Sequence, residues 1–356
     1  MEHCIDMQAG LQQIAKKIIH DIFQIKPGQS VIIFAEIHNI SEPAQPLEEI
    51  PLLEELAITL RKHNAIPIID ISTENLHQRF FKEIDSPDQT SQELFDLWIN
   101  SADFVIDLSW RSNPLLYKSV PEKSLMKYCN LSDSYLQEMG KKNKKIILLG
   151  TPTKGLAKYY NLDHNTLKET YLSSINADYF TLKKKCLIFG NKIKHNEGWK
   201  VRSAERVLAF DLIGTAKNYY GEFKYSPVLV LPTGLWQQNI EPSKMTGILM
   251  CDFVYHSEYV WSDVQLIFRE GKVVDIEIGV PQENTKVLKI NLRSPIKSAI
   301  LGYGINYFIS KMTFYSLYDI SKSGNLSITL HTENHEVILM LQNAQLYQTE
   351  DNIISD

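Results

Sequence analysis

The densest group of side chains that could bind a metal ion is the segment His331-Thr332-Glu333-Asn334-His335-Glu336. If this segment forms a hairpin turn, His331 and His335 lie on opposite arms and their imidazoles could hold a divalent cation such as zinc. His256 and Glu258 have the i, i+2 spacing of two side chains on one face of a strand, and they could add two ligands. The alternative for all four residues is an ordinary polar surface, because turns between strands are usually exposed and polar.

Two other segments follow predicted strands, at the sheet edge where α/β proteins bind ligands. The first, Gly150-Thr151-Pro152-Thr153-Lys154-Gly155, precedes a possible helix and hints at an anion-binding loop, although it lacks the spacing of a P-loop. The second contains Arg111, whose guanidinium could bind a carboxylate. An ordinary loop is the alternative for both. The sequence has no G-x-S-x-G motif, so no serine nucleophile is indicated.

The elements that would position these residues change in character along the chain. In the first half, short apolar strands such as Val31–Ala35, Ala65–Ile71, Phe104–Leu108 and Lys145–Leu149 alternate with helical patterns. This alternation predicts an α/β domain with a mostly parallel sheet over residues 1–195.

The second half, residues 196–356, is rich in β patterns separated by short turns, which predicts an α+β domain with an antiparallel sheet. Arg269-Glu270-Gly271-Lys272 is a hairpin signal between two of these patterns. Val228–Leu231 is assigned to this second domain, and Pro295–Met312 is predicted to be helical or irregular.

Composition limits the class of protein. The 356 residues are 44% hydrophobic and 22% charged, as in globular proteins, and the formal net charge of −5 gives no attraction to nucleic acid or to anionic membranes. The four cysteines form no CxxC pair, and the sequence shows neither a signal peptide nor an apolar run long enough for a membrane span. We therefore expect a cytoplasmic protein that binds neither nucleic acid nor membrane.

Several short motifs occur in an order that resembles the M29 family of metallo-aminopeptidases, the aminopeptidase T type. The resemblance covers nearly the whole chain, and a distant branch of the same fold contains iron-dependent dihydroxypyridine dioxygenases. It implies a second domain equivalent to the metallopeptidase catalytic domain, and a homodimer. The segments that carry it are Lys26-Pro27-Gly28-Gln29, Gly214-Thr215, Pro232-Thr233-Gly234, Phe268 to Val274, and Leu301-Gly302-Tyr303-Gly304-Ile305-Asn306.

The resemblance also implies where the ligands of a two-metal site would fall. Five of the six positions carry side chains that are poor ligands or cannot bind a cation at all, since leucine, isoleucine and valine have no lone pairs to donate. A single imidazole cannot hold two metal ions. We therefore expect the metal site of the family to be absent. The six positions are Leu235, Ile300, Ile320, Ser327, His335 and Val337.

These losses predict a non-catalytic protein that binds a peptide or a protein partner in its cleft. Trp236 and Tyr303, next to the former ligand positions, could line that cleft with Arg111 and His331. An accessory role in ribosomal-peptide natural-product biosynthesis, binding a precursor peptide, is one specific form of this hypothesis. Three alternatives remain: an aminopeptidase with a relocated metal site at His256, Glu258, His331 and His335, an iron oxygenase, and a metal-independent enzyme.

Overall fold

The structure is a computed structural model of the chain. It describes residues 7–37, 50–73, 96–97, 100–109, 120, 124, 134, 137–193, 195–223, 226–256, 259–279, 285–333 and 335–348. Among these residues, no helix is both long enough and apolar enough to span a membrane.

The chain divides into two compact units. The first contains Met1–Asn176 and Gly221–Pro232, and the second contains Ala177–Tyr220 and Thr233–Asp356. The predicted boundary at residue 195 lies later than this division, because the helix Tyr179–Lys192 packs on strands of the second unit.

The first unit is built on a five-stranded parallel sheet with strand order β2-β1-β3-β4-β8. Its strands are β1 (Ser30–Ile37), β2 (Ile66–Thr73), β3 (Phe104–Asp107), β4 (Lys145–Leu149) and β8 (Val228–Leu231). The helices are α1 (Met7–Lys16), which continues into a π-helical turn (Lys17–Ile22), α2 (Ile50–Lys62), α3 (Lys154–Tyr160) and α4 (His164–Ile175).

This unit confirms the predicted α/β class, and the reason is visible in its strands. Val31, Ile32 and Ile33 are fully buried, as expected for a strand of a parallel sheet with both faces covered. The assignment of Val228–Leu231 to the second domain was wrong: this strand returns to the first unit and pairs in parallel with β4.

The second unit contains an antiparallel sheet, as the sequence predicted, and this sheet has 11 strands. Nine strands follow the order β16-β5-β6-β10-β15-β14-β13-β9-β7, while β11 pairs with β10 and β12 pairs with β11. The strands are β5 (Trp199–Ser203), β6 (Arg206–Phe210), β7 (Leu212–Tyr219), β9 (Leu235–Ile240), β10 (Thr246–His256), β11 (Tyr259–Arg269), β12 (Lys272–Ile278), β13 (Ser298–Gly304), β14 (Leu326–His331), β15 (Glu336–Leu341) and β16 (Gln345–Tyr347). The helices are α5 (Tyr179–Lys192), α6 (Thr285–Arg293) and α7 (Ser316–Asp319).

Two local predictions can be compared with this sheet. The hairpin is confirmed: Arg269 pairs with Lys272 across the turn residues Glu270 and Gly271, both of which have positive φ. The assignment of Pro295–Met312 as helical or irregular was wrong over Ser298–Gly304, which forms strand β13 between β9 and β14.

The two faces of the sheet around β13, β14 and β15 differ in composition. On one face, Leu326, Ile328 and Leu330 of β14 join the main hydrophobic core, to which β15 and β13 also contribute. We call the opposite face the site face. It carries Ser327 of β14 together with Ile338 and Met340 of β15, which belong to a second, smaller hydrophobic cluster.

Candidate functional site

Three of the six positions that the M29 resemblance predicts for metal ligands, here called the former ligand positions, lie together on the site face. Ser327 of β14 pairs with Gly302 of β13, and Leu235 of β9 pairs with Gly304 two residues further along the same strand. Ile300, also on β13, lies two residues before Gly302. Since side chains separated by two residues in a strand share a face, and directly paired residues share a face, these positions converge.

Gly302 lies at the centre of this group. A β-carbon at Gly302 would lie 2.4 Å from Ser327 Oγ and 3.4 Å from Leu235 Cδ1. The serine hydroxyl and the leucine methyl therefore approach each other over a residue that has no side chain of its own.

Ile320 reaches the same region from a different element. Its carbonyl oxygen would lie 2.8 Å from a β-carbon at Gly304, so the backbone after α7 passes directly over the end of β13. The Ile320 side chain is half-buried and packs against Tyr255, Ile338 and Met340. A fourth former ligand position thus joins the first three.

A buried carboxylate beside Ile320 holds this segment in place. Asp319 accepts hydrogen bonds from Tyr255 Oη at 2.9 Å, Thr313 N at 2.8 Å and Thr313 Oγ1 at 2.9 Å. Burial raises the pKa of Asp319 to about 6, although the hydrogen bonds from Thr313 and Tyr255 oppose that rise. No sequence pattern marks Asp319 for this role, and its partner Tyr255 lies 64 residues away in the chain.

The same carboxylate fixes an unusual backbone conformation. Phe314 has a φ of 60°, which is rare for a bulky side chain, and its backbone N–H also bonds to Asp319. The Phe314 ring is 43% exposed and packs edge-to-face on Phe253, with ring centroids 5.3 Å apart. The network therefore holds an aromatic ring at the surface.

The last two former ligand positions do not join the group. Val337 pairs with Leu330, and both are fully buried in the main core on the opposite face from Ser327. His335 precedes β15 and is exposed, and its ring packs edge-to-face on His256 at 5.2 Å between centroids. The structure thus brings together Leu235, Ile300, Ile320 and Ser327, and it separates them from Val337 and His335.

The aromatic residues predicted to line a cleft lie elsewhere. Trp236 is fully buried on the face opposite Leu235, where it contacts Phe189 of α5. Tyr303 stacks on the same phenylalanine, with a centroid distance of 3.9 Å. These rings attach α5 to the sheet, so they are core residues and do not line the site face. Arg111, the other predicted binding residue, lies outside the described residues.

The proposed relocated metal site does not fit its residues. His256 is buried, and both of its ring nitrogens have partners: Nδ1 donates to the Glu336 carbonyl at 2.9 Å, and Nε2 accepts from Asn291 Nδ2 at 2.7 Å. These bonds leave no lone pair for a cation. His331 Nδ1 lies 3.8 Å from Glu336 Oε2, so it faces a carboxylate at the surface. Glu258 lies outside the described residues, and no group of three or more His, Cys, Asp or Glu in the described part of the chain could hold a metal ion.

The segment Gly150–Gly155 proves to be a helix start. Thr153 Oγ1 accepts a hydrogen bond from Leu156 N and caps α3, while Thr151 Oγ1 bonds to the Leu108 carbonyl at 2.7 Å. Both hydroxyls serve the local fold.

Comparison with known proteins supports the fold. Among solved structures, wild-type AmpT from Thermus thermophilus is similar to this chain, with a TM-score of 0.63 and 12% sequence identity over 96% of this chain and 95% of that chain. The chain therefore has the two-domain aminopeptidase-like fold. No protein-family model and no curated protein matches the sequence.

The chemistry of the site face follows from its side chains. Leu235, Ile300 and Ile320 offer only apolar surface, and the Ser327 hydroxyl is a weak ligand, so these residues do not fit the two metal ions of the aminopeptidases. By strand pairing, the same face also carries Ile338 and Met340 of β15 and the polar residues Thr329, Gln237 and Asn239, while Leu235 and Ser327 are buried. The half-buried apolar side chains of Ile300 and Ile320 suit binding through burial of apolar groups.

Proposed function

We propose that this chain is a non-catalytic aminopeptidase-like protein that binds a peptide or a protein partner on the site face. The observation that carries the proposal is that Leu235, Ile300 and Ser327 share the face of Gly302, while the backbone of Ile320 passes over Gly304. The proposal takes these four positions to be those of the metal ligands in the M29 family, and their side chains are poor ligands or cannot bind a metal ion.

A peptide is the ligand that this reasoning favours. The fold is shared with an aminopeptidase, and a surface that accommodates a peptide can persist when the catalytic metal ions are lost. We further propose that the protein forms a homodimer. We also propose that it is an accessory protein of ribosomal-peptide natural-product biosynthesis and binds a precursor peptide.

Metal content and activity test the non-catalytic part of the proposal. The purified protein is dialysed against zinc or cobalt, its bound metal is measured by elemental analysis, and hydrolysis of aminoacyl-p-nitroanilides is followed with and without a chelator. We expect less than stoichiometric metal and no chelator-sensitive hydrolysis. Stoichiometric metal with chelator-sensitive release of p-nitroaniline contradicts the proposal.

Binding is tested separately with a labelled array of synthetic peptides that have free amino termini. For peptides that bind, Ile300→Arg places a charge on the site face and should raise the Kd by about tenfold or more. The matched control is Ile58→Arg, an isoleucine-to-arginine change on α2 at a residue that is 45% exposed, which should leave the Kd unchanged. Equal loss in both variants, or no bound peptide, opposes a site-face ligand.

A further inference from the structure

The helix α5 has two apolar sides. Leu182, Cys186 and Phe189 are buried and pack into the core of the second unit. Phe180, Leu187 and Ile188 lie on the side facing solvent, with 77%, 39% and 50% of their surfaces exposed. Leu187 and Ile188 follow Phe180 by seven and eight residues, which is about two helical turns. The three side chains therefore form one strip along the helix.

Lysine side chains accompany this exposed strip. Residues 179–192 contain Lys183, Lys184, Lys185 and Lys192 and no acidic residue. The nearest acid, Asp178, is the N-cap, and its carboxylate accepts from Phe180 N and from Thr181 Oγ1. The helix therefore presents net positive charge in a chain whose formal net charge is −5.

Lysine and apolar side chains are interspersed on the exposed side of α5. Lys184 is exposed and, by helical geometry, lies between Phe180 and Ile188 in the strip. On one flank, Lys185 Nζ lies 4.1 Å from the centroid of the Tyr307 ring, and Tyr307 is itself 40% exposed. This cation–π contact holds an ammonium group beside a second exposed apolar surface.

We propose that the solvent-facing side of α5 is a docking surface for an acidic amphipathic segment of a partner protein. Apolar side chains of the partner contact Phe180, Leu187 and Ile188, and its carboxylates pair with Lys184 and Lys185. Charge complementarity selects this partner, since opposite charges steer association and like charges are rejected. The proposal concerns a different surface from the site face and does not depend on the function proposed above.

The mixed arrangement favours a protein partner over an anionic membrane. Helices that lie on membranes segregate a broad apolar face from a charged face. In α5 the opposite apolar side is already packed in the core, and a lysine lies inside the exposed strip. A carboxylate surrounded by apolar side chains, as on an acidic amphipathic helix, matches this pattern.

Fluorescence anisotropy of the full chain with labelled synthetic peptides tests the proposal. The probe is a helix-forming peptide of Glu and Leu, and the comparison peptides of equal length contain Lys and Leu, or Glu and Gln. We expect binding of the Glu–Leu peptide alone, with an affinity that falls as salt is added. No binding of this peptide, or equal binding of the Lys–Leu peptide, overturns the proposal.

Variants then locate the contact. The double variant Leu187→Gln/Ile188→Gln and the charge reversal Lys184→Glu should each raise the Kd of the Glu–Leu peptide by about tenfold. Val274→Gln on β12, where the valine is 42% exposed, and Lys244→Glu at the exposed end of the short helix Pro242–Lys244 are the matched controls. All five positions are surface-exposed, and thermal unfolding checks that each of the four variants is folded.

A sedimentation assay with anionic vesicles tests whether the same surface binds membranes. Vesicles containing phosphatidylserine are mixed with the chain and with the Lys184→Glu variant in a sedimentation assay. We expect no sedimentation of either protein. Vesicle binding that Lys184→Glu abolishes, with peptide binding unaffected by the same variant, assigns the surface to membranes and overturns the proposal.

Discussion

The hydroxyl of Tyr255 on β10 donates a hydrogen bond of 2.9 Å to Oδ2 of Asp319 at the end of α7, and both residues are buried. This bond joins the sheet to the segment that carries Ile320 across the site face. The carboxyl also accepts from Thr313, so one ionisable group holds together three separate parts of the second unit.

Stability should therefore depend on pH through Asp319. Its pKa is raised from 3.8 to about 6 in the folded protein, chiefly by burial, while in the unfolded chain it returns to an ordinary value. The folded state holds the proton more tightly, so this contribution is fully present below about pH 4 and is lost as pH rises through about 6. The loss amounts to about 3 kcal/mol.

Urea unfolding from pH 4 to pH 8 measures this effect against the variant Asp319→Asn, which cannot ionise. The free energy of unfolding of the wild type, minus that of the variant, should fall over this range. Parallel curves for the two proteins would falsify the assignment.

Substitution of Gly304 should destabilise the segment after α7, whose backbone passes over the end of β13. A β-carbon there would lie 2.1 Å from the Lys322 carbonyl oxygen and 2.8 Å from that of Ile320, and backbone atoms cannot rotate away. Gly304→Ala should lower the free energy of unfolding by about 3 kcal/mol. Thermal and urea unfolding measure the change.

Gly302→Ala on the same strand is the matched control. Its nearest clash is with Ser327 Oγ, a side-chain atom that can turn to another rotamer, so the loss should be smaller. Adding Ser327→Ala should recover part of it, because that change removes the clashing atom. If the two glycine variants lose equal stability, the backbone does not pass over Gly304 as described.

His256 should act as a structural residue. Asn291→Ala removes the donor to His256 Nε2 and leaves a buried imidazole nitrogen without its partner, at a cost of about 1–3 kcal/mol. Lys286→Ala, at an exposed position on α6, the helix that also carries Asn291, should change stability little. Zinc content should be the same in the wild type and in His256→Ala, whereas a loss of bound zinc in His256→Ala would support the relocated metal site.

The two described cysteines should be unreactive in the folded protein. Burial raises the pKa of Cys186 to about 12 and raises that of Cys251 as well, which suppresses the reactive thiolate. In the variant Cys4→Ser/Cys129→Ser, a thiol-specific disulfide reagent at pH 8 should react only after urea is added. Rapid labelling without urea would show that these thiols are accessible in the folded chain.

The sequence predicted the two classes of domain well, because buried strands carry continuous apolar runs and the hairpin at Glu270–Gly271 has its own turn chemistry. It failed at β13, where Gly302 and Gly304 weaken the strand pattern. Only pairing with β9 and β14 makes this segment a strand. The assignment of β8 to the second domain also failed, because the residue pattern of Val228–Leu231 does not indicate which of the two sheets the strand joins.

For the candidate site, residue types alone determined that Leu235, Ile300 and Ile320 do not bind metal, because this is a property of their side chains. The tertiary structure decided which positions meet: pairing register placed Ser327 beside Gly302 and turned Val337 to the opposite face. It also decided the roles of Asp319, Trp236 and His256, each of which has a partner that is distant in sequence. Neighbours across a sheet depend on the register of paired strands, and a single chain's residue pattern does not contain that register.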